Sequence, residues 1–273
     1  DDMKRWLYPR WIAHRGAGKL APENTLAAFR LGEEYGYRMF ECDVRLSQDG
    51  ELFLLHDATL DRTTSGSGPA AVHQWSALSR LDAGVWHSPH YAGEPICHLE
   101  SLARFILSKG LALNIEMKPN PGQAKETGHA VTQVVRRLWS GQAAPWPLLS
   151  SFQIDALAAA QASAPELPRA LLLQQLESGW LECARDLGCV AVVMHHSIVS
   201  QEQILRLHEV GMRALAYTVN DEAIATTLWS MGMDGLITDA VDRFLPFESE
   251  DAAQQDAVTP SDSSAGGPAN AVP

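Results

Sequence analysis

Cysteine is scarce in this chain and unpatterned. The four present (Cys42, Cys97, Cys183 and Cys189) show no CxxC spacing and no paired histidines nearby, which excludes the common zinc-binding arrangements and leaves buried, reduced thiols as the expectation. Long apolar runs are missing too. No stretch approaches the roughly 20 uninterrupted apolar residues a membrane span requires, and Asp1-Asp2-Met3-Lys4-Arg5 leads into Trp6 without the apolar core of a secretory leader. Thiols without a disulfide framework and the absence of a leader pattern give a cytoplasmic expectation. Positive charge is in deficit, with 21 Lys and Arg against 33 Asp and Glu for a net charge of −12. That balance argues against a nucleic-acid partner, which needs clustered cations. Five of the acids (Glu248, Glu250, Asp251, Asp256 and Asp262) follow residue 247 with no base among them, so −7 remains on the rest. The 248–273 stretch is rich in Ala, Ser, Gly and acids and has no aromatic residue. It is expected to stay disordered, because it cannot bury enough apolar surface to offset its ordering entropy.

Residues 1–247 alternate short β-branched or apolar runs with amphipathic helical stretches, the pattern of parallel βα units. Eight strands are expected at 11–14, 39–45, 111–117, 148–152, 170–173, 190–194, 213–219 and 236–238. Helices are expected at 23–35, 122–139, 154–162, 178–187, 201–210 and 222–231. Eight such units in a chain of this length predict a single closed (β/α)8 TIM barrel. A ninth strand-like run, 51–56, follows the turn signal Ser47-Gln48-Asp49-Gly50 and reads as a hairpin on the second barrel strand. The stretch from 57 to 99 is too long for a simple βα loop and reads as a small inserted cap.

Alternation along a strand then sorts the side chains. Glu41, Asp43 and Arg45 share one face of the second strand, with Phe40, Cys42 and Val44 on the other. Asn114, Glu116 and Lys118 share a face opposite Leu113 and Ile115. The apolar faces should meet helices, which turns the charged faces into the barrel. The charges sit at the C-terminal strand ends, where barrel active sites form. His14 and Arg15 close the first strand, and His56-Asp57 closes the hairpin strand. The mouth thus collects three carboxylates, two histidines, an arginine and a lysine. The carboxylates with Arg15 and Lys118 carry a net −1, wrong for an anionic substrate; one divalent cation makes it +1.

These pieces resemble the glycerophosphodiester phosphodiesterase family. The matching runs are His14-Arg15-Gly16, Pro22-Glu23-Asn24-Thr25, Glu41-x-Asp43-Val44, His56-Asp57, Glu116-x-Lys118, Tyr217-Thr218-Val219-Asn220 and Asp234 to Asp239. The resemblance implies a TIM barrel that hydrolyses glycerophosphodiesters to sn-glycerol 3-phosphate and an alcohol. It implies that Glu41, Asp43 and Glu116 hold one divalent cation, and all-oxygen ligands suit Mg²⁺ or Ca²⁺. His14 and His56 become general base and acid, Arg15 and Lys118 hold phosphoryl oxygens, and Tyr217 faces the glycerol. The expected partner is a small-molecule glycerophosphodiester; assembly state and head group stay open. Two other readings are a lysophospholipase-D-like phosphodiesterase, which needs a long apolar groove, and a barrel that binds phosphodiesters without turnover. The second needs no pair of histidines.

Weaker signals have plainer readings. Asn24 or Thr25 is expected to cap the first helix, and Asn114 to support Glu116. His195 and His196, and the cap residues His73, His87, His90 and His98, read as packing or surface groups, as do Trp75, Trp86 and Tyr91.

Overall fold

The computed structural model describes residues 6–246; the acidic 248–273 stretch lies outside them. The barrel strands are β1 (Trp11–Ala13), β2 (Met39–Leu46), β4 (Ala112–Met117), β5 (Leu148–Ser151), β6 (Arg169–Leu173), β7 (Ala191–His195), β8 (Arg213–Tyr217) and β9 (Gly235–Thr238), all paired in parallel. Pairing of β1 with both β9 and β2 closes the ring. The short β3 (Leu52–Leu54) lies antiparallel on β2, Val44 opposite Leu54, as the turn signal required. The helices are α1 (Leu26–Glu34), a single turn α2 (Trp75–Leu78), α3 (Leu99–Ser108), α4 (Ala124–Trp139), α5 (Ile154–Ser163), α6 (Trp180–Asp186), α7 (Gln201–Glu209) and α8 (Glu222–Ser230). None of them is long and apolar enough to cross a membrane.

The six expected helices are present, with no end shifted by more than three residues. The third, α3, falls just past the expected cap and was not anticipated. Its start is set by an unusual cap: the His98 ring accepts a hydrogen bond from the Glu100 amide.

Strand alternation sorts the core into two layers. Ile12, Met39, Ala112, Leu148, Ala191, Val193, Leu215 and Ile237 fill the barrel interior. Phe40, Cys42, Val44, Leu113, Ile115, Val192 and Met194 point outward into the larger layer beneath the helices. Moving along β2 and β4 toward their C-terminal ends, the inward positions turn from Met39 and Ala112 to Glu41, Asp43, Asn114 and Glu116. The interior is thus apolar at one end and charged at the other, with the apolar plug anchoring the strands that carry the charges.

The stretch expected to form a cap has an apolar cluster of its own. Leu60, Ala70, Leu78, Ala83 and Ile96 pack on Phe53 and Leu55 from β3 and its extension. The two long loops that follow β1 and β3 are tied down, the second by this packing and the first by glycine geometry. At Gly18 (φ 60°) an added Cβ would stand 2.1 Å from the carbonyl oxygen of Asp239, so the β1–α1 loop passes β9 at a distance only glycine allows.

Candidate active site

Parallel pairing in register sets Asp43 beside Glu116 and Glu41 beside Asn114. Glu41 and Asp43 are 2% and 1% exposed. One oxygen from each of Glu41, Asp43 and Glu116 can be chosen so that all three lie within 4.8 Å of one another. Glu41 Oε1 and Asp43 Oδ1 are buried with no hydrogen-bond partner, and the Lys118 ammonium stands 2.8 Å from Glu116 Oε1 and 3.9 Å from Asp43 Oδ1. Buried carboxylate oxygens left without donors fit a hard cation, and little else, at low cost. Titration points the same way. Burial, reinforced by Asp43 and Glu116, pushes Glu41 well above the usual carboxylate range. Burial and then Asp43 raise Glu116 to about 7. Asp43 is pushed up by burial too, but Arg15, Lys118 and His56 outweigh it and hold it below its ordinary value. The triad can hold a metal ion; without one, its charges can coexist only by keeping protons.

The β1–α1 loop clasps this cluster. Arg15 (φ 55°) and Asn24 (φ 59°) are the only non-glycine residues with left-handed backbone among those described, a conformation costing about 1–2 kcal/mol each. Arg15 leaves its amide on Glu41 Oε2 at 3.2 Å and its Nε 3.4 Å from Asp43 Oδ2. Asn24 donates from Nδ2 to Asp43 Oδ2 at 3.0 Å and accepts from the Asp43 amide at 3.2 Å. Thr25, not Asn24, is the helix cap, accepting from the Ala28 amide. Asn114, the register partner of Glu41, accepts from Ser150 Oγ at 2.8 Å, and its Nδ2 is buried without a hydrogen-bond partner.

The two histidines are mounted alike. His14 Nδ1 lies 2.7 Å from Asp239 Oδ1, and His56 Nδ1 lies 2.8 Å from Asp57 Oδ1. A carboxylate can only accept there, so Nδ1 carries the proton and each Nε2 keeps a free lone pair when the ring is neutral. His14 Nε2 stands 3.7 Å from Glu41 Oε2. His56 titrates below its usual value because burial outweighs the pull of Asp43. Asp239 is fixed in turn by Asn220, whose Nδ2 donates to it at 3.1 Å.

Arg62 joins the halves. It makes two bonds to Asp57 (2.9 and 3.1 Å) and two to Glu23 (2.7 and 3.0 Å), and Glu23 reaches Arg15 at 3.1 Å. The nearly buried Arg45 donates to the carbonyls of His56 (2.5 Å) and Lys118 (3.4 Å), tying two strand ends together. On the far side, Tyr217 is edge-on to Phe152 (centroids 6.0 Å) and His195 (5.4 Å), and Lys118 Nζ lies 5.9 Å from the Phe152 ring.

Of the residues expected at the site, His14, Arg15, Glu41, Asp43, Glu116 and Lys118 are joined by direct contacts. His56 is joined to them through Asp57, Arg62 and Glu23, and Tyr217 meets the Phe152 ring that Lys118 approaches. Sequence reasoning passed over Arg62 and Phe152, placed Arg45 on the inward face and Glu23 in a helix-start motif without giving either a role, and took Asn24 only as a cap. It quoted Asp57, Asp239 and Asn220 within motifs without giving them work.

The model of the Glycerophosphoryl diester phosphodiesterase family matches residues 14–243. The chain belongs to this family. Its barrel is accordingly that of a phosphodiesterase. A glycerophosphodiester phosphodiesterase of Caldanaerobacter subterraneus is 32% identical over 235 residues, 84% of this chain and 93% of that protein. Another from Bacillus subtilis is 29% identical over 85% of this chain and 84% of that one. Among solved structures, an Oleispira antarctica phosphodiesterase in complex with its product sn-glycerol-3-phosphate is 36% identical, with a TM-score of 0.83 over 90% of this chain and 97% of that one.

Proposed function

We propose that this phosphodiesterase hydrolyses glycerophosphodiesters to sn-glycerol 3-phosphate and an alcohol, using a divalent cation held by Glu41, Asp43 and Glu116. The observation that carries the reading is the pair of histidines, each fixed through Nδ1 by a carboxylate, together with buried carboxylate oxygens that lack hydrogen-bond partners. Arg15 and Lys118 hold the non-bridging phosphoryl oxygens, the first as a fork and the second as a point charge. Both stay protonated, since the facing carboxylates outweigh the opposing effect of burial.

One histidine Nε2 takes the proton of the attacking oxygen, from water or a neighbouring glycerol hydroxyl, as its bond to phosphorus forms. The other, protonated, gives its proton to the alcohol oxygen as the phosphorus–oxygen bond breaks. Asp239 and Asp57 stabilise whichever imidazolium results. The cation, when bound, supplies Lewis-acid polarisation and charge neutralisation at the phosphoryl group. Mg²⁺ and Ca²⁺ both suit the donors.

The 57–99 stretch serves in this reading as a cap whose Arg62 locks Asp57 and Glu23 in place. Tyr217 contributes a face for the glycerol. Four free thiols suit a reducing, cytoplasmic setting.

The test is direct. Protein stripped with chelator is incubated with glycerophosphocholine and glycerophosphoethanolamine, with and without Mg²⁺ or Ca²⁺, and glycerol 3-phosphate is assayed. Metal-dependent release supports the proposal; none with either ion on either substrate sinks it.

A further inference from the structure

We infer that His195 is a third histidine of the site, a hydrogen-bond donor that recognises the glycerol hydroxyls of the substrate; this rests on the function proposed above. Its place follows from the barrel. Ala191 and Val193 of β7 point inward, so His195 shares their face at the C-terminal end of the strand. In the closed strand order β7 lies four strands from β2 in either direction. His195 therefore faces the carboxylate cluster from the opposite wall, where the organic part of a substrate held at its phosphate must lie.

Its chemistry differs from that of His14 and His56. His195 Nδ1 accepts from the backbone amide of Ser197 at 3.2 Å and lies 2.7 Å from Ser197 Oγ. An amide can only donate, so Nδ1 holds the lone pair and, in the neutral ring, Nε2 carries the proton. The two carboxylate-tied histidines expose an acceptor at Nε2; His195 exposes a donor. The ring is held by stacking on His196 (centroids 4.5 Å) and edge-on contact with Tyr217, its register partner.

Tyr217 completes the pair. Its hydroxyl is directed to the Leu173 carbonyl at 3.4 Å, leaving the phenol oxygen able to accept. A donor and an acceptor side by side, with the Phe152 and Tyr217 rings beside them, match the hydroxyls and the carbon chain of a glycerol. The phosphoryl group already has Arg15 and Lys118 and has no need of a cation from this wall.

The experiment compares glycerophosphocholine with bis(4-nitrophenyl) phosphate, a phosphodiester without glycerol, on the metal-loaded enzyme. Losing one neutral hydrogen bond corresponds to about a 5–10-fold effect. His195→Ala should lower kcat/KM on glycerophosphocholine about tenfold more than on the nitrophenyl ester, mainly through KM. His195→Gln, which keeps an N–H donor, should recover most of that loss. By calorimetry, His195→Ala should weaken glycerol 3-phosphate binding more than binding of inorganic phosphate. Equal losses on both substrates, or no loss, overturn the assignment. If the wild-type protein cleaves the nitrophenyl ester but no glycerophosphodiester, the function proposal falls instead.

Discussion

Asn24 and Asp43 hold each other through two reciprocal hydrogen bonds, side-chain amide to carboxylate and backbone amide back to the side-chain carbonyl. Asn24 does so in left-handed backbone, φ 59°, so the loop that carries Arg15 is fixed to a carboxylate of the triad. Asn24→Gly keeps the backbone and loses the bonds, while Asn24→Ala loses both. Both variants should bind the cation about 10–100-fold more weakly, the range for groups that orient metal ligands. The alanine variant should also melt lower than the glycine one. Calorimetric metal titration and thermal unfolding check the two parts, and undiminished metal affinity in Asn24→Gly would show the bonds to be structural only.

Metal affinity should rise with pH. Burial and mutual repulsion keep Glu41 and Glu116 partly protonated in the metal-free protein, Glu116 up to about pH 7, and a cation must displace those protons. Titration at pH 6 should give a weaker Kd than at pH 8, and at pH 7 the heat should vary with the buffer's ionisation enthalpy. A Kd flat across that range would mean both carboxylates are already ionised.

The same shifts set the pH dependence of stability. A carboxyl group raised in the folded state binds more protons there than when unfolded, so its contribution is present below the unfolded value of 4.5 and lost as pH rises through about 7. The metal-free Tm should therefore fall between pH 5 and pH 8. Saturating cation should reverse the trend, since it binds only the ionised, folded triad.

Asp239→Asn should lower kcat at least about 100-fold with little change in KM. An amide turned so that its NH2 meets His14 Nδ1 favours the wrong tautomer, an effect of up to about 10⁴ in a well-studied triad. Asp57→Asn should behave similarly at His56. Single-turnover rates across pH are the measurement, and wild-type kcat in both variants would remove the histidines from the mechanism.

Gly18→Ala should cost stability and activity together. The added Cβ meets the Asp239 backbone at 2.1 Å in a left-handed conformation, so the loop or the β9 end must shift, for about 1–3 kcal/mol. A lower Tm with kcat reduced alongside is expected, while Gly50→Ala, also at positive φ but with nothing near the new Cβ, should lower Tm less and leave kcat intact.

Much of the site was legible because β-strand alternation is local. Glu41 and Asp43 had to share a face opposite Phe40 and Cys42, Glu116 had to share one with Asn114, and apolar partners decided which face met the helices. The hairpin was legible from Asp49-Gly50. The beginning of α3 was not, because its cap is a histidine ring and the standard capping residues are absent.

Periodicity carries no information about which distant residues meet. His14 and Asp239 are 225 positions apart and touch only because β1 pairs with β9 as the ring closes. Arg62 joins Glu23 to Asp57, and Arg45 joins the ends of two strands, through loop paths that no local pattern encodes. The sequence by itself determined which residue types face the barrel mouth, since side-chain direction along a strand is a matter of two-residue geometry. Only the tertiary structure decided their partners, and with them each histidine's tautomer and each carboxylate's proton affinity, because these depend on burial and on charges brought near by closure of the barrel.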